Sequence, residues 1–78
     1  MADNSALKKR SFAITGHRTS IALEAEFWAA LDAQAREERV PLVSLVKRID
    51  GARGERNLAS ALRVYALMRA LAAKRPSY

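Results

Sequence analysis

The chain of 78 residues contains no cysteine, a single histidine, two prolines and three glycines. Without cysteine there is no disulfide to staple a small domain and no thiolate to hold zinc. His17, apart from any carboxylate cluster, makes no metal site, and no nucleophile, base and orienting group assemble into a catalytic set. Neither an enzyme nor a cofactor is therefore expected. Long hydrophobic runs are missing too: Lys8, Lys9 and Arg10 lead into no apolar signal region, and nothing approaches the length of a membrane span. The expectation is a soluble, cytoplasmic chain with no membrane partner.

Acidic residues are few, eight against fourteen lysines and arginines, which gives a net charge of +6. Such an excess on a short chain points to a polyanionic partner, nucleic acid before membrane surface. The charge is also segregated. Residues 1–20 carry a net +3, residues 21–38 a net −4, and residues 39–78 a net +7. Both ends are basic around an acidic middle.

What the sequence does contain is organised around Gly16 to Trp28. Arg18-Thr19-Ser20-Ile21-Ala22-Leu23 alternates as a half-buried strand does, with Ile21 and Leu23 on one face and Arg18, Ser20 and Ala22 on the other. Phe27, Trp28, Leu31 and Ala35 then recur at helical spacing, so the strand runs into a helix with almost no loop. One short strand needs a pairing partner for its backbone, and a second copy of the chain is the economical source. Upstream, Ser11 to Thr15 alternates again, with Phe12 and Ile14 on one side. It is either a second strand returning through a turn at Gly16-His17-Arg18, or an arm extending the first. A continuous strand from 12 to 23 would set Phe12 and Ile14 opposite Ile21 and Leu23, so the periodicity predicts a break at Gly16.

The first helix should end near Glu38, its core stripe of Phe27, Trp28, Leu31 and Ala35 spanning roughly 100°. That stripe assigns Trp28 and Phe27 to packing rather than to base stacking. Pro41 marks the start of a second helix with Leu42, Leu45, Val46 and Ile49 on one stripe, and Gly51 and Gly54 bracket its end. Asn57 is a good N-cap for a third helix that continues to about Lys74. Its apolar residues, Leu58 to Leu71, sweep about 220°, enough to cover two surfaces, its own domain and a partner. The expected organisation is a flexible basic arm over residues 1–10, a folded domain over 11–74 and a tail over 75–78. In class it is mainly α with one short β-strand.

The segment G-H-R-T-S-I-A-L-E-A-E-F-W at residues 16–28, followed by N-L-A-S-A-L-R-V-Y at Asn57 to Tyr65, resembles the ribbon-helix-helix superfamily of Met and Arc repressor-like proteins. More narrowly, it is similar to a bacterial group of DNA-binding members over nearly the whole stretch from Lys9 to about Leu71. The resemblance implies an intertwined homodimer whose two strands pair antiparallel into an intermolecular ribbon, with the third helix as an extra C-terminal element. That ribbon would enter the major groove of double-stranded DNA as part of a transcriptional regulator.

Strand phase then makes Arg18, Ser20 and Ala22 the base-facing residues, while Ile21, Leu23, Phe27, Trp28, Leu31, Leu45, Ile49, Leu62 and Tyr65 form the dimer core. Phosphate contacts fall to Lys8, Lys9, Arg10, His17 and Arg39 and to the free amides of Leu42 and Val43 at the second helix start. Arg39 stands where the group commonly has glycine, and Pro41 where a serine is usual. Partners beyond the dimer are higher assemblies on DNA and a protein held by the third helix. That last partner gives the alternative function, an antitoxin-like interaction module.

Overall fold

The computed structural model describes residues 7–74. Strand β1 (Leu7–Ile14) and strand β2 (His17–Glu24) precede three helices, α1 (Ala25–Glu38), α2 (Leu42–Ala52) and α3 (Leu58–Ala73). The strands pair antiparallel over their whole length, from Leu7 opposite Glu24 to Ile14 opposite His17. There are thus two strands of eight residues rather than one short one, and β2 finds its partner in its own chain rather than in a second copy. The end of the expected arm, from Leu7 to Arg10, belongs to β1, and residues 1–6 and 75–78 lie outside the described residues.

A two-residue turn makes this possible. Thr15 and Gly16 both have positive φ, 47° and 80°, the backbone hand that matches the twist of a tight hairpin. The turn falls at Thr15-Gly16, ahead of the expected Gly16-His17-Arg18, and supplies the break that the parity of the two runs required. Glycine takes this conformation freely. Thr15 does so at a cost, because a β-branched side chain crowds the left-handed region.

Pairing sorts the hairpin into two faces. Phe12 and Ile14 of β1 and Thr19, Ile21 and Leu23 of β2 turn toward the helices, where Trp28, Leu31 and Ala35 of α1, Leu45, Val46 and Ile49 of α2, and Ala61, Leu62 and Ala66 of α3 complete one core. Leu23, Leu31, Leu45, Val46 and Leu62 are fully buried. The residues expected to line a dimer core are therefore enclosed within one chain. Ile21, Leu23, Trp28, Leu31, Leu45, Ile49 and Leu62 are buried there, and Phe27 and Tyr65 are partly buried against the same cluster. Once β1 covers the sheet edge, one copy has enough apolar surface to close a core.

Helix ends follow local chemistry. Arg39 adopts the left-handed conformation (φ 61°), and the amides of Arg39 and Val40 return to the carbonyls of Arg36 and Ala35, each at 3.0 Å. This satisfies the last carbonyls of α1 as a glycine would, with a side chain retained. Pro41 takes the N-cap of α2, one residue before the helix proper. Asn57 Oδ1 accepts from the Ser60 amide at 2.7 Å and caps α3.

Glu38 ties the three helices together: both its oxygens accept from Arg48 of α2 at 2.9 Å, Gln34 donates to it at 2.7 Å, and Arg48 also reaches the Tyr65 hydroxyl of α3 at 3.4 Å. These hydrogen bonds, from Arg48 first and then Gln34, lower the Glu38 pKa from its ordinary 4.5 to about 2.

Three outcomes are expected. Leu23→Ala, emptying a fully buried position, should cost about 2–5 kcal/mol in urea denaturation, a large part of the stability of so small a domain. Thr15→Asn should instead raise stability by up to about 1 kcal/mol, since asparagine tolerates a left-handed turn position; a loss would contradict the positive φ. Because the Glu38 pKa is depressed on folding, its contribution is fully present above pH 4.5 and disappears as pH falls toward 2. Melting temperature measured across that window should fall less steeply for Glu38→Gln than for the native chain.

Candidate nucleic-acid interface

The hairpin face turned away from the helices is built from alternate residues of both strands. Lys9 lies opposite Ala22, Ser11 opposite Ser20, and Ala13 opposite Arg18. The two serine hydroxyls meet at 3.0 Å across the middle. No bulky apolar side chain stands on this patch between its two cations. Among the described residues neither Lys9 nor Arg18 makes an ion pair. The patch offers a guanidinium, an ammonium, two hydroxyls and two methyl groups on a surface two strands wide.

Arg18, Ser20 and Ala22 stand on this outer face, as strand phase predicted. Ser11 and Ala13, with Lys9 as a face residue rather than an arm residue, are the part that sequence reasoning missed. Their signal was the alternation of Lys9, Ser11 and Ala13 against Phe12 and Ile14.

The cations expected to act together are divided by the pleat. Lys8 pairs with Leu23 and Arg10 with Ile21, on the helix side of the sheet. Arg10 is occupied there: its guanidinium carbon lies 4.7 Å from the centre of the Trp28 ring, and its two terminal nitrogens donate to Asp32 at 3.0 and 3.2 Å. Trp28 Nε1 donates to the Lys8 carbonyl at 2.7 Å, and the Phe12 ring lies with its centre 5.9 Å from that of Trp28, tilted by 37°. His17 is exposed at the turn end of the hairpin, on the phase of Thr19 and Ile21, where it lines a cleft with Asp50, Arg53 and Leu58.

At the far end of the outer face stands Glu24, the one acid on that phase. Arg63 of α3 donates to it at 3.0 Å while lying 5.9 Å from the Phe27 ring. A hydrogen bond from its own backbone, followed by the one from Arg63, lowers the Glu24 pKa, so the carboxylate stays ionised and matched.

Arg39, Leu42 and Val43 sit apart from the ribbon at the junction of α1 and α2. Arg39 is exposed, and the Ser44 amide already bonds to the Pro41 carbonyl at 3.0 Å. That leaves the Leu42 and Val43 amides as the unpaired donors of the first turn, the usual seat for an anion at a helix start.

A comparison with protein families matches residues 7–70 to the ribbon-helix-helix domain. Members of that family are typically regulatory, non-enzymatic modules, DNA-binding transcriptional regulators or antitoxins, and generally bind DNA as dimers. No curated protein and no solved structure matches the chain. None of the described helices is long and apolar enough to cross a membrane. The match takes in both strands, both central helices and most of the third, and on that extent the chain belongs to the ribbon-helix-helix family.

Proposed function

We propose that this protein is a cytoplasmic transcriptional regulator that binds double-stranded DNA by laying the outer face of its hairpin in the major groove. The observation that carries the reading is the composition of that face: Lys9, Ser11, Arg18 and Ser20 point outward from paired strands whose bulky apolar residues, Leu7 at the far end excepted, point inward. A major groove about 12 Å wide admits a two-stranded ribbon. Arg18 presents two parallel donors to guanine N7 and O6, the serines donate to or accept from neighbouring base edges, and the methyls of Ala13 and Ala22 suit a thymine methyl. Lys9 grips phosphate beside them, and the Leu42 and Val43 amides with Arg39 supply a second backbone contact.

An antitoxin-like role would give α3 to a foreign protein. Against it, α3 is a folded element that contributes Ala61, Leu62 and Ala66 to the central core.

The test is titration of the protein against duplexes selected from a random library, at several salt concentrations. Log affinity should fall linearly with log salt. Lys9→Ala should reduce that slope by about 1, and Arg18→Ala should cost about 1–3 kcal/mol on the selected site and relax discrimination at one base pair. Arg10→Ala should lower stability and leave the salt slope unchanged, because Arg10 is spent on Trp28 and Asp32. Affinity indifferent to salt would overturn the reading.

A further inference from the structure

The end of α2, the loop after it and the first half of α3 border a cleft of about 300 Å³. Ile49, Ala52, Ala61 and Val64 line it with aliphatic carbon, Tyr65 adds an aromatic ring, and Arg53 and Arg56 supply the charge; no acidic residue is in the lining. Apolar walls with a few polar groups are the make-up of a small-molecule site, and this volume lies at the lower end of the range for such sites. A compound with one ring fits that size better than a nucleotide.

The two arginines are held differently. Arg53 Nε donates to Asp50 and its Nη1 to the Arg56 carbonyl, each at 2.8 Å, which fixes the guanidinium plane and leaves Nη2 without a partner among the described residues. Arg56 makes no ion pair there. Asp50 offsets one cation of the two, so the cleft keeps one unmatched positive charge.

We infer that this cleft binds a small organic monocarboxylate with a single apolar ring, the ring against Ile49, Ala52, Ala61 and Val64 and the carboxylate on Arg56 and the free nitrogen of Arg53. Charge selects the class. A guanidinium presents parallel N–H groups that match the two oxygens of a carboxylate, and one unmatched cation suits a monoanion better than a phosphate ester, which carries nearly two charges at neutral pH. A bare anion gains little from exposed arginines, since water solvates both partners. The apolar body supplies the rest. Tyr65 favours an aromatic ring for it, because two rings attract beyond the area they bury.

Lys9, Ser11, Arg18 and Ser20 line no part of the cleft, so binding there and binding to DNA are separable. Phenylacetate is the probe, with acetate as the charge without the ring and phenethylamine as the ring with the opposite charge. In amide NMR titrations of the full chain, phenylacetate should shift Ala52, Arg53, Arg56, Ala61 and Val64 saturably, with a dissociation constant on the order of 0.1–1 mM for a ligand of its size. Acetate and phenethylamine should each bind at least about tenfold more weakly. Arg56→Gln, in an exposed loop, should weaken phenylacetate about five- to tenfold and leave the rest of the spectrum in place. Ala52→Leu, at the exposed last residue of α2, should fill the cleft and abolish saturation. Phenylacetate that shifts none of these amides, a control that matches it, or either variant binding as the native chain does would refute the proposal. Shifts centred on Lys9 and Arg18 instead would refute it too, as general attraction of anions.

Discussion

The Trp28 indole, with Arg10 over its ring and Phe12 beside it, donates to the Lys8 carbonyl and is the contact on which the hairpin depends. The half of β1 away from the turn has no buried apolar residue to hold it: Leu7, Lys8, Lys9 and Arg10 are all exposed. An exposed ion pair such as Arg10–Asp32 contributes at most about 1 kcal/mol, and an isolated two-stranded hairpin is marginal in water. Trp28 adds a hydrogen bond to the backbone, a stacked guanidinium and an aromatic neighbour from one buried side chain. Together these keep β1 on the sheet, which satisfies the backbone of β2, closes the core within one chain and makes the outer face two strands wide.

That contact also explains what could be read in the sequence and what could not. Phe27, Trp28, Leu31 and Ala35, the break at Gly16, the Asn57 cap and the proline at the start of α2 were all legible, because each is a local pattern with a local cause. The left-handed Arg39 was legible as a question, and the structure answers it with two amide hydrogen bonds to the preceding turn. The first half of β1 was hidden because alternation looks for apolar residues on the inward face, and here Lys8 and Arg10 occupy inward positions. Arg10 qualifies because a guanidinium can lie flat on an aromatic ring while its nitrogens reach a carboxylate. A basic triplet read as a solvated arm is thus split by the pleat, with Lys9 on one side and two neighbours on the other. The same omission left β2 without a pairing partner in its own chain, for which a second copy was the economical source.

The charge segregation along the chain has a similar resolution. The acidic middle segment is matched in space by arginines distant in sequence: Asp32 by Arg10, Glu38 by Arg48, and Glu24 by Arg63. These pairs join β1 to α1, α1 to α2, and the end of β2 to α3, so the segregation is partly a means of tying elements together. What they leave on the outer hairpin face is Lys9 and Arg18 without an opposing acid, since Glu24 is committed to Arg63. A ribbon with two unmatched cations and no free carboxylate presents a uniformly positive edge to a polyanion, and two strands supply twice the outward positions that one strand would. Arg18 thus shares the outer face with Ser11 and, at its other end, Lys9.

Glu24 and Arg63 also connect the hairpin to the third helix. Glu24 closes β2, Arg63 belongs to α3, and their ion pair, with the guanidinium 5.9 Å from the centre of the Phe27 ring, links one element to the other. A pair this exposed contributes little to stability, so it is the burial of Leu62 and Ala66 in the common core that holds α3 in place. The part left to the pair is electrostatic: by matching Glu24 it leaves Lys9 and Arg18 as the unmatched charges of the outer hairpin face.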